Sequence, residues 1–358
     1  MKERKNNSCC QEEDIANLFI YSATHRCSLE STSNRLLGSP NADTIFSNLD
    51  SSVPVYKLQG LINRALGKHF PKNKESDFYK AKFNLAVDLR DIPFYGKVKK
   101  GDALFGYVHR SKAKLGTHQF LRYLIVSITG KKSREILAFV FCRKSRTLLS
   151  YLKKALKIVR FWGINIGSLS LDKQFYTVKI LNYLKEQGIG FCVPVAQRGR
   201  KNSRLHKILK KSNQTQEVPY TMRSGKDKVS FRLVIVHKYL KGRYGKHKEV
   251  KYPYAVWGLD WLKPKDVFGF YRHRFAIESD NRSNKSLNIK TCSKRVEVRL
   301  LSIAVGFVLM NIWLWVKSTY KVQRHWKRKF TLLLCWALVS LYITSLYKTR
   351  DVADFLKL

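Results

Sequence analysis

At 358 residues the chain has room for two or three structural units and a substantial core, and its 69 Lys and Arg against 25 Asp and Glu leave a formal charge of +44. Solubility alone is served by a far smaller charge, roughly +10, so this balance argues against an ordinary neutral-surface protein and for a polyanionic partner. The seven cysteines include no CxxC pair, which excludes the usual zinc modules, and a reduced cytosolic chain follows as the expectation.

The N-terminus, MKERKNNSCCQEEDIANLF, lacks an apolar core of signal-peptide length. Residues 1–79 read as helical and polar. Within them SLESTSNRLLGSPNADTIFSNL (28–49) resembles a helix-turn-helix, with Ser28 capping a first helix, Gly38-Ser39-Pro40 as the turn and Asn41 capping a second.

From residue 83 the texture changes. FNLAVDLRDI (83–92), HQFLRYLIVSITG (118–130) and REILAFVFCR (134–143) are rich in β-branched and aromatic residues, and Gly130-Lys131-Lys132 suits a hairpin turn, which predicts a three-stranded meander. Next, LLSYLKKALKIVRFW (148–162) repeats apolar residues at helical spacing. Strand 166–175 ending near Asp172, helix 176–188 and strand 190–196 follow, and this alternation implies parallel strands added to the meander.

Between Arg198 and Lys251 stand 17 basic residues and three acids, Glu217, Asp227 and Glu249, around at least one strand, 229–237. Such a stripe is the electrostatic footprint of a nucleic-acid surface, because each neutralised phosphate releases counterions. After Pro264 the pattern turns helical, broken near 287–293. The apolar runs 300–316 and 331–347 approach the length of a spanning helix, but both are expected to be buried core helices, and no membrane is expected.

Three acids stand out. Asp88 shares one strand face with Ala86 while Val87 takes the other, and a carboxylate in an apolar strand needs a partner. Asp91, just before Pro93, reads as a turn or cap residue. Asp172 ends its strand ahead of a helix, where open α/β sheets place their sites, although a helix cap reads equally well there. Glu278 lies in YRHRFAIESDNRSNK (271–285), where a helix starting near Lys265 would bring Tyr271, Arg274, Glu278 and Lys285 within roughly 60° of one another. Three carboxylates from separate segments suit divalent-metal phosphoryl transfer.

These residues carry a resemblance. Tyr271, Arg274, Glu278 and Lys285 match the signature Y-x2-R-x3-E-x6-K without a gap, AVDLRDIPFYGK is similar to a first-acid strand, and LDKQFYTVKILNYL to a second-acid motif. Over roughly 80–315 the chain resembles DDE transposases of the insertion-sequence class. The resemblance implies an α/β fold with an RNase H-like mixed sheet and flanking helices over 80–320 and a basic β-rich insertion over 190–262; the helical tail over 321–358 departs from the family in being unusually apolar. It implies Asp88, Asp172 and Glu278 as catalytic acids on two Mg²⁺ or Mn²⁺ ions, and Tyr271, Arg274 and Lys285 on DNA phosphates. It further implies cleavage at element ends with strand transfer into target DNA, double-stranded DNA partners, a homodimer on DNA, and a prokaryotic cytoplasmic, nucleoid-associated location. The alternatives are a non-catalytic nucleic-acid-binding protein or decayed copy, a membrane protein with basic loops, and a nuclease or resolvase that does not join ends.

Overall fold

The computed structural model describes residues 11–48, 54–68, 70–71, 75–130, 135–197, 203–241, 247–275, 277, 284–319 and 332–349. The expected turn at residues 131–132 and Glu278 lie outside them.

The N-terminal part is helical, with α1 (Glu12–His25), α2 (Leu29–Arg35), α3 (Ala42–Asn48), α4 (Val55–Gly67) and α5 (Asp77–Lys80). Both expected caps form: Ser28 Oγ accepts from Ser31 N–H at 3.1 Å, and Asn41 Oδ1 from Asp43 N–H at 3.3 Å. Between α2 and α3 a two-residue strand, β1 (Leu36–Leu37), precedes Gly38, whose φ of 88° makes the turn. Helix α3 carries Asp43 and no Lys or Arg. It therefore brings no cation to a phosphate backbone.

The strands of the main sheet are β2 (Lys82–Pro93), β3 (Val108–Lys114), β4 (Thr117–Ile128), β5 (Ile136–Cys142), β6 (Asn165–Leu171), β7 (Gly190–Pro194), β8 (Gln216–Ser224), β9 (Asp227–Lys241) and β10 (His247–Trp257). Their order is β3-β4-β2-β6-β7-β10-β9-β8, with β5 beside β3 on the far edge of β4. Strands β2, β4 and β5 are antiparallel, while β6 and β7 run parallel to β2. This is an RNase H-like mixed sheet, extended by the antiparallel strands β10, β9 and β8.

Among the elements not anticipated are β3 and a helix in the basic stretch. Strand β3, VHRSKAK, is an edge strand with mostly exposed residues, so it shows no alternation of apolar side chains. The helix α8 (Arg204–Lys211) follows α6 (Leu148–Phe161) and α7 (Val178–Glu186), and its apolar Leu205 and Leu209 are embedded among lysines. Among the described residues the basic stretch is thus a helix followed by three strands that continue the sheet.

Layering follows from alternation along the strands. Leu85 and Val87 join α6, α7 and α8 in one core, while Ala86, Tyr123, Ile125 and Phe139 join α1–α4 in another. The second core also takes the helix after α9 (Val267–Arg272), α10 (Val296–Thr319), whose Phe307 lies edge-on to Tyr123 with centroids 5.5 Å apart. Helix α11 (Leu332–Leu346) leads to β11 (Lys348–Thr349), which pairs with β1.

Helix α10 is long and apolar enough to cross a membrane, yet half of its apolar window is buried against protein. Its Asn311 explains why. The side-chain amide donates to Leu66 O at 3.0 Å and Ile136 O at 2.8 Å, and its oxygen accepts from Ile136 N–H at 2.9 Å. In the same way Asn63 brackets Phe139 N–H and C=O, and Gln59 Oε1 accepts from Phe141 N–H. Three amides from two helices thereby satisfy the outer edge of β5, which would otherwise be buried without partners. Helix α11 differs from the expectation of burial, because Leu338, Leu341, Tyr342 and Leu346 are exposed while Trp336 and Ile343 pack inward.

Asn311→Leu tests this role. In a lipid-facing helix the change would be neutral or stabilising. Here it strands two carbonyls and an N–H, and urea unfolding is expected to show a loss of about 2–4 kcal/mol.

Candidate active site

Strand β2 lies inside the sheet, between antiparallel β4 and parallel β6, so Asp88 can neither reach water nor avoid its neighbours, and it is only 5% exposed. Arg90, two residues on and hence on the same face, donates Nε–H to Asp88 Oδ2 at 2.6 Å. Arg274 donates from Nη1 to Asp88 Oδ1 at 3.3 Å. Burial pushes the Asp88 carboxyl up from the ordinary carboxylate range, Arg90 and Arg274 pull it down, and Asp172 pushes it up again. Burial prevails in that balance.

Strand β6 lies parallel to β2 with Val87 level with Leu171, so Asp88 and Asp172 follow side by side. Asp172 begins a short 3₁₀ turn, but its side chain makes no capping bond there. The next helix, α7, is capped instead by Thr177 Oγ1, which accepts from Ile180 N–H. The capping explanation for Asp172 is therefore not realised. Its carboxylate is 32% exposed and lies 4.0 Å from Arg274 Nη2. One guanidinium thus spans the two acids.

Asp91 has a structural role different from the expected turn. Strand β2 continues to Pro93, and Asp91 faces Arg122 on β4, which donates to both carboxylate oxygens at 2.7 and 3.1 Å. This bidentate cross-strand pair fastens β2 to β4.

Helix α9 brings the cation to the acids. It ends at Arg272, and the chain tightens into i→i+3 turns, with N–H bonds from His273 to Phe270 O, Arg274 to Tyr271 O and Ile277 to Arg274 O. The straight helical face expected for residues 271–285 is therefore modified after Arg272. Tyr271 and Arg274 nevertheless share one side, both buried, with the Arg274 guanidinium 5.4 Å from the Tyr271 ring centroid. Tyr271 Oη donates to Leu171 O at 3.3 Å, which ties this turn to the end of β6. Burial pushes the Tyr271 phenol up, so it stays protonated. Lys285 is exposed in a short helical stretch ahead of the turn at Ser286–Leu287, and its neighbour Asn284 is buried against Gly306 of α10. A Cβ at Gly306 would fall 2.1 Å from Asn284 Oδ1, so only glycine admits this approach.

Asp88, Asp172, Tyr271 and Arg274 are thus brought together, Lys285 stands on the surface, and Glu278 lies outside the described residues. Among the described residues no group of three His, Cys, Asp or Glu side chains is placed to hold a metal ion. The two converging carboxylates are oxygen donors of the kind Mg²⁺ and Mn²⁺ take.

A family profile described as Transposase DDE domain matches residues 85–309, which include both acids, the α9 turn and most of α10. The chain belongs to the DDE transposase family. No curated protein sequence matches it. Among solved structures it is similar to a piggyBac transposase in a synaptic complex with hairpin DNA, determined by cryo-EM. The two share 13% identity and a TM-score of 0.52, over 99% of this chain and 78% of that one, a likeness of fold. Members of the family generally work with divalent metal ions.

Sequence reasoning did not single out Arg90 or the inward turn of Arg274 in this transposase. The first was legible as an i+2 neighbour of a strand acid. The second joins residues 186 positions apart and had no local signal.

The acid–guanidinium pair can be measured. Arg274→Gln is expected to cost about 3 kcal/mol in urea unfolding, because it leaves a buried carboxylate short of charge. In the double variant with Asp88→Asn the loss should fall short of the sum of the singles by about 1 kcal/mol or more, and simple additivity would disprove the coupling.

Proposed function

We propose that this transposase cleaves DNA at the ends of an insertion sequence and transfers the freed 3′ ends into target DNA, in a metal-dependent reaction. The observation that carries this reading is the side-by-side placement of Asp88 and Asp172 where adjacent parallel strands end, inside the matched span. Asp88, Asp172 and Glu278 would hold the metal, Mg²⁺ or Mn²⁺, as a pair of ions. When bound, such ions supply Lewis-acid stabilisation to the attacking and leaving oxygens of an in-line displacement.

The chain's own side chains do the rest. Burial of Asp88 between β4 and β6 excludes bulk water from one side of the site, and Tyr271 fixes the turn that delivers Arg274. Arg274 keeps the two carboxylates from repelling each other, and lies where it can also meet a phosphate entering beside Asp172. Lys285 offers a surface ammonium nearby in sequence to Glu278.

Duplex DNA would lie across the extended sheet. Arg204, Lys207, Lys210 and Lys211 of α8 and Arg223, Lys226 and Lys228 around the β8–β9 turn are exposed. Arg232, by contrast, is bound to Glu217 at 2.8 Å and to Leu259 O at 2.7 Å, and serves the fold. The α2–α3 pair would contribute to end recognition through groups other than lysine or arginine on α3. A homodimer would hold the two ends, and the setting is a prokaryotic cytoplasm at the nucleoid.

Cleavage of a DNA carrying the borders of this protein's own gene tests the reading. Wild type with Mg²⁺ is expected to cut at those borders. Asp88→Asn, Asp172→Asn and Glu278→Gln should each lower the rate at least about a thousandfold, the scale of one lost transition-state stabiliser, while still binding the DNA. Binding without cleavage by wild type would favour a DNA-binding module or a decayed copy, and full cleavage by any of the three variants would remove that acid from the site.

A further inference from the structure

Strands β3 and β4 meet in a two-residue turn, Lys114 opposite Thr117, with both turn residues in the left-handed region: Leu115 at φ 53° and Gly116 at φ 76°. Such a turn ordinarily takes Asn or Asp before its glycine, because short polar side chains tolerate positive φ. Leucine is a poor choice on both counts available to it. It strains the backbone, and at 74% exposure it buries almost nothing.

The tip is braced in this conformation. The Tyr95 hydroxyl donates to Leu115 O at 2.9 Å, and Thr117 Oγ1 to Phe94 O at 2.9 Å. Tyr95 is itself 70% exposed, so a second apolar surface stands behind the leucine. Around them Lys97, Lys99, Lys100, Arg110, Lys112 and Lys114 are exposed. The single acid between residues 95 and 119, Asp102, is turned to its own loop and accepts from Lys99 N–H at 2.8 Å.

Lysines on an edge strand are explained by protection against edge-to-edge pairing. An exposed leucine at the tip works against that protection. An apolar wedge flanked by cations is, however, what proteins use to part a base step while gripping the adjoining phosphates.

We propose that the β3–β4 hairpin is a DNA-deforming wedge. Lys112 and Lys114 hold phosphates across the minor groove, and Leu115, backed by Tyr95, enters a base step and partly unstacks it. The position follows from register. Asp88 is level with Ile125 of β4, and the tip at Thr117 lies eight residues further along that strand. At about 3.4 Å per residue and about 3.4 Å per base pair, the wedge meets DNA about eight base pairs from the acids. The inference rests on the proposed function only in taking the bound DNA to be an element end.

The test uses the full chain and a duplex carrying one border of its own gene, with 2-aminopurine placed at successive steps and EDTA present so that nothing is cut. Wild type is expected to raise fluorescence at a step about eight base pairs from the border. Leu115→Asn, which suits the turn better, should melt no lower and keep its affinity while losing that rise. Lys112→Glu with Lys114→Glu should weaken binding about tenfold or more and flatten its dependence on salt. The proposal is overturned by absence of the rise in wild type, by its persistence in Leu115→Asn, or by unchanged affinity of the lysine variant. A change from dimer to monomer in Leu115→Asn by sedimentation would also overturn it, assigning the tip to a second copy of the chain. Because the rise is read in EDTA, where no strand is cut, it stands or falls independently of cleavage, so an error in the catalytic assignment and an error here are told apart.

Discussion

A carboxylate in the middle of a sheet has to be met by positive charge, and Asp88 organises much of the molecule around that need. Its nearest cation, Arg90, comes at no topological cost because it sits two residues along the same strand. The second, Arg274, has to return from the far side of the three added strands. That return requires the turn after α9 to lie against the ends of β2 and β6, and the buried cluster of Tyr254, Tyr271, Val256 and Leu262 holds it there. The packing under α9 is therefore part of the electrostatics of the acids, and a mutation in that cluster acts on Asp88 through the placement of Arg274.

A second constraint acts at the opposite end of the sheet. Strand β5 is wholly buried, so its outer edge cannot be left to water. Gln59, Asn63 and Asn311 supply the missing ladder from side chains, and in doing so they join α4 and α10 to the sheet as though they were a further strand. The N-terminal helices consequently share one core with β4, β5 and α10. Through this core α1–α3 reach the strand beside Asp88, because Tyr123, whose ring touches Phe307 of α10, sits on β4.

The parts of this arrangement that were legible in the sequence are those in which a local pattern and a burial pattern coincide. The alternation Ala86-Val87-Asp88 placed an acid on a buried face, and the passage from strand to helix around Asp172 placed a second at a strand end; both acids lie where that pattern put them. Strand β3 was not legible, since a cationic edge strand has no apolar face to betray it. The leucines of α8 were hidden among lysines that outnumber them. The amides on β5 were unreadable for a different reason: glutamine and asparagine have no preferred surroundings until the strand they serve is in place. The helical register of Tyr271 and Arg274 was recoverable, but its tightening into i→i+3 turns depends on contacts with Leu171 and the acids, which no local window contains.

The surplus of base makes the use of each acid informative. Asp91 and Glu217 are consumed by Arg122 and Arg232, pairs that fasten neighbouring strands and remove cations from the outer surface. Asp88 is held by Arg90 and Arg274, at 2.6 and 3.3 Å. Asp172 is held far more loosely, by a guanidinium at 4.0 Å, although a chain with 69 cations could easily have placed another beside it. A loosely held acid beside a buried one leaves one carboxylate of the pair accessible at the strand end. On the proposed function, that carboxylate is where a small divalent cation, which coordinates two carboxylates at once and keeps positions for substrate oxygens, would enter without disturbing the strands that carry them.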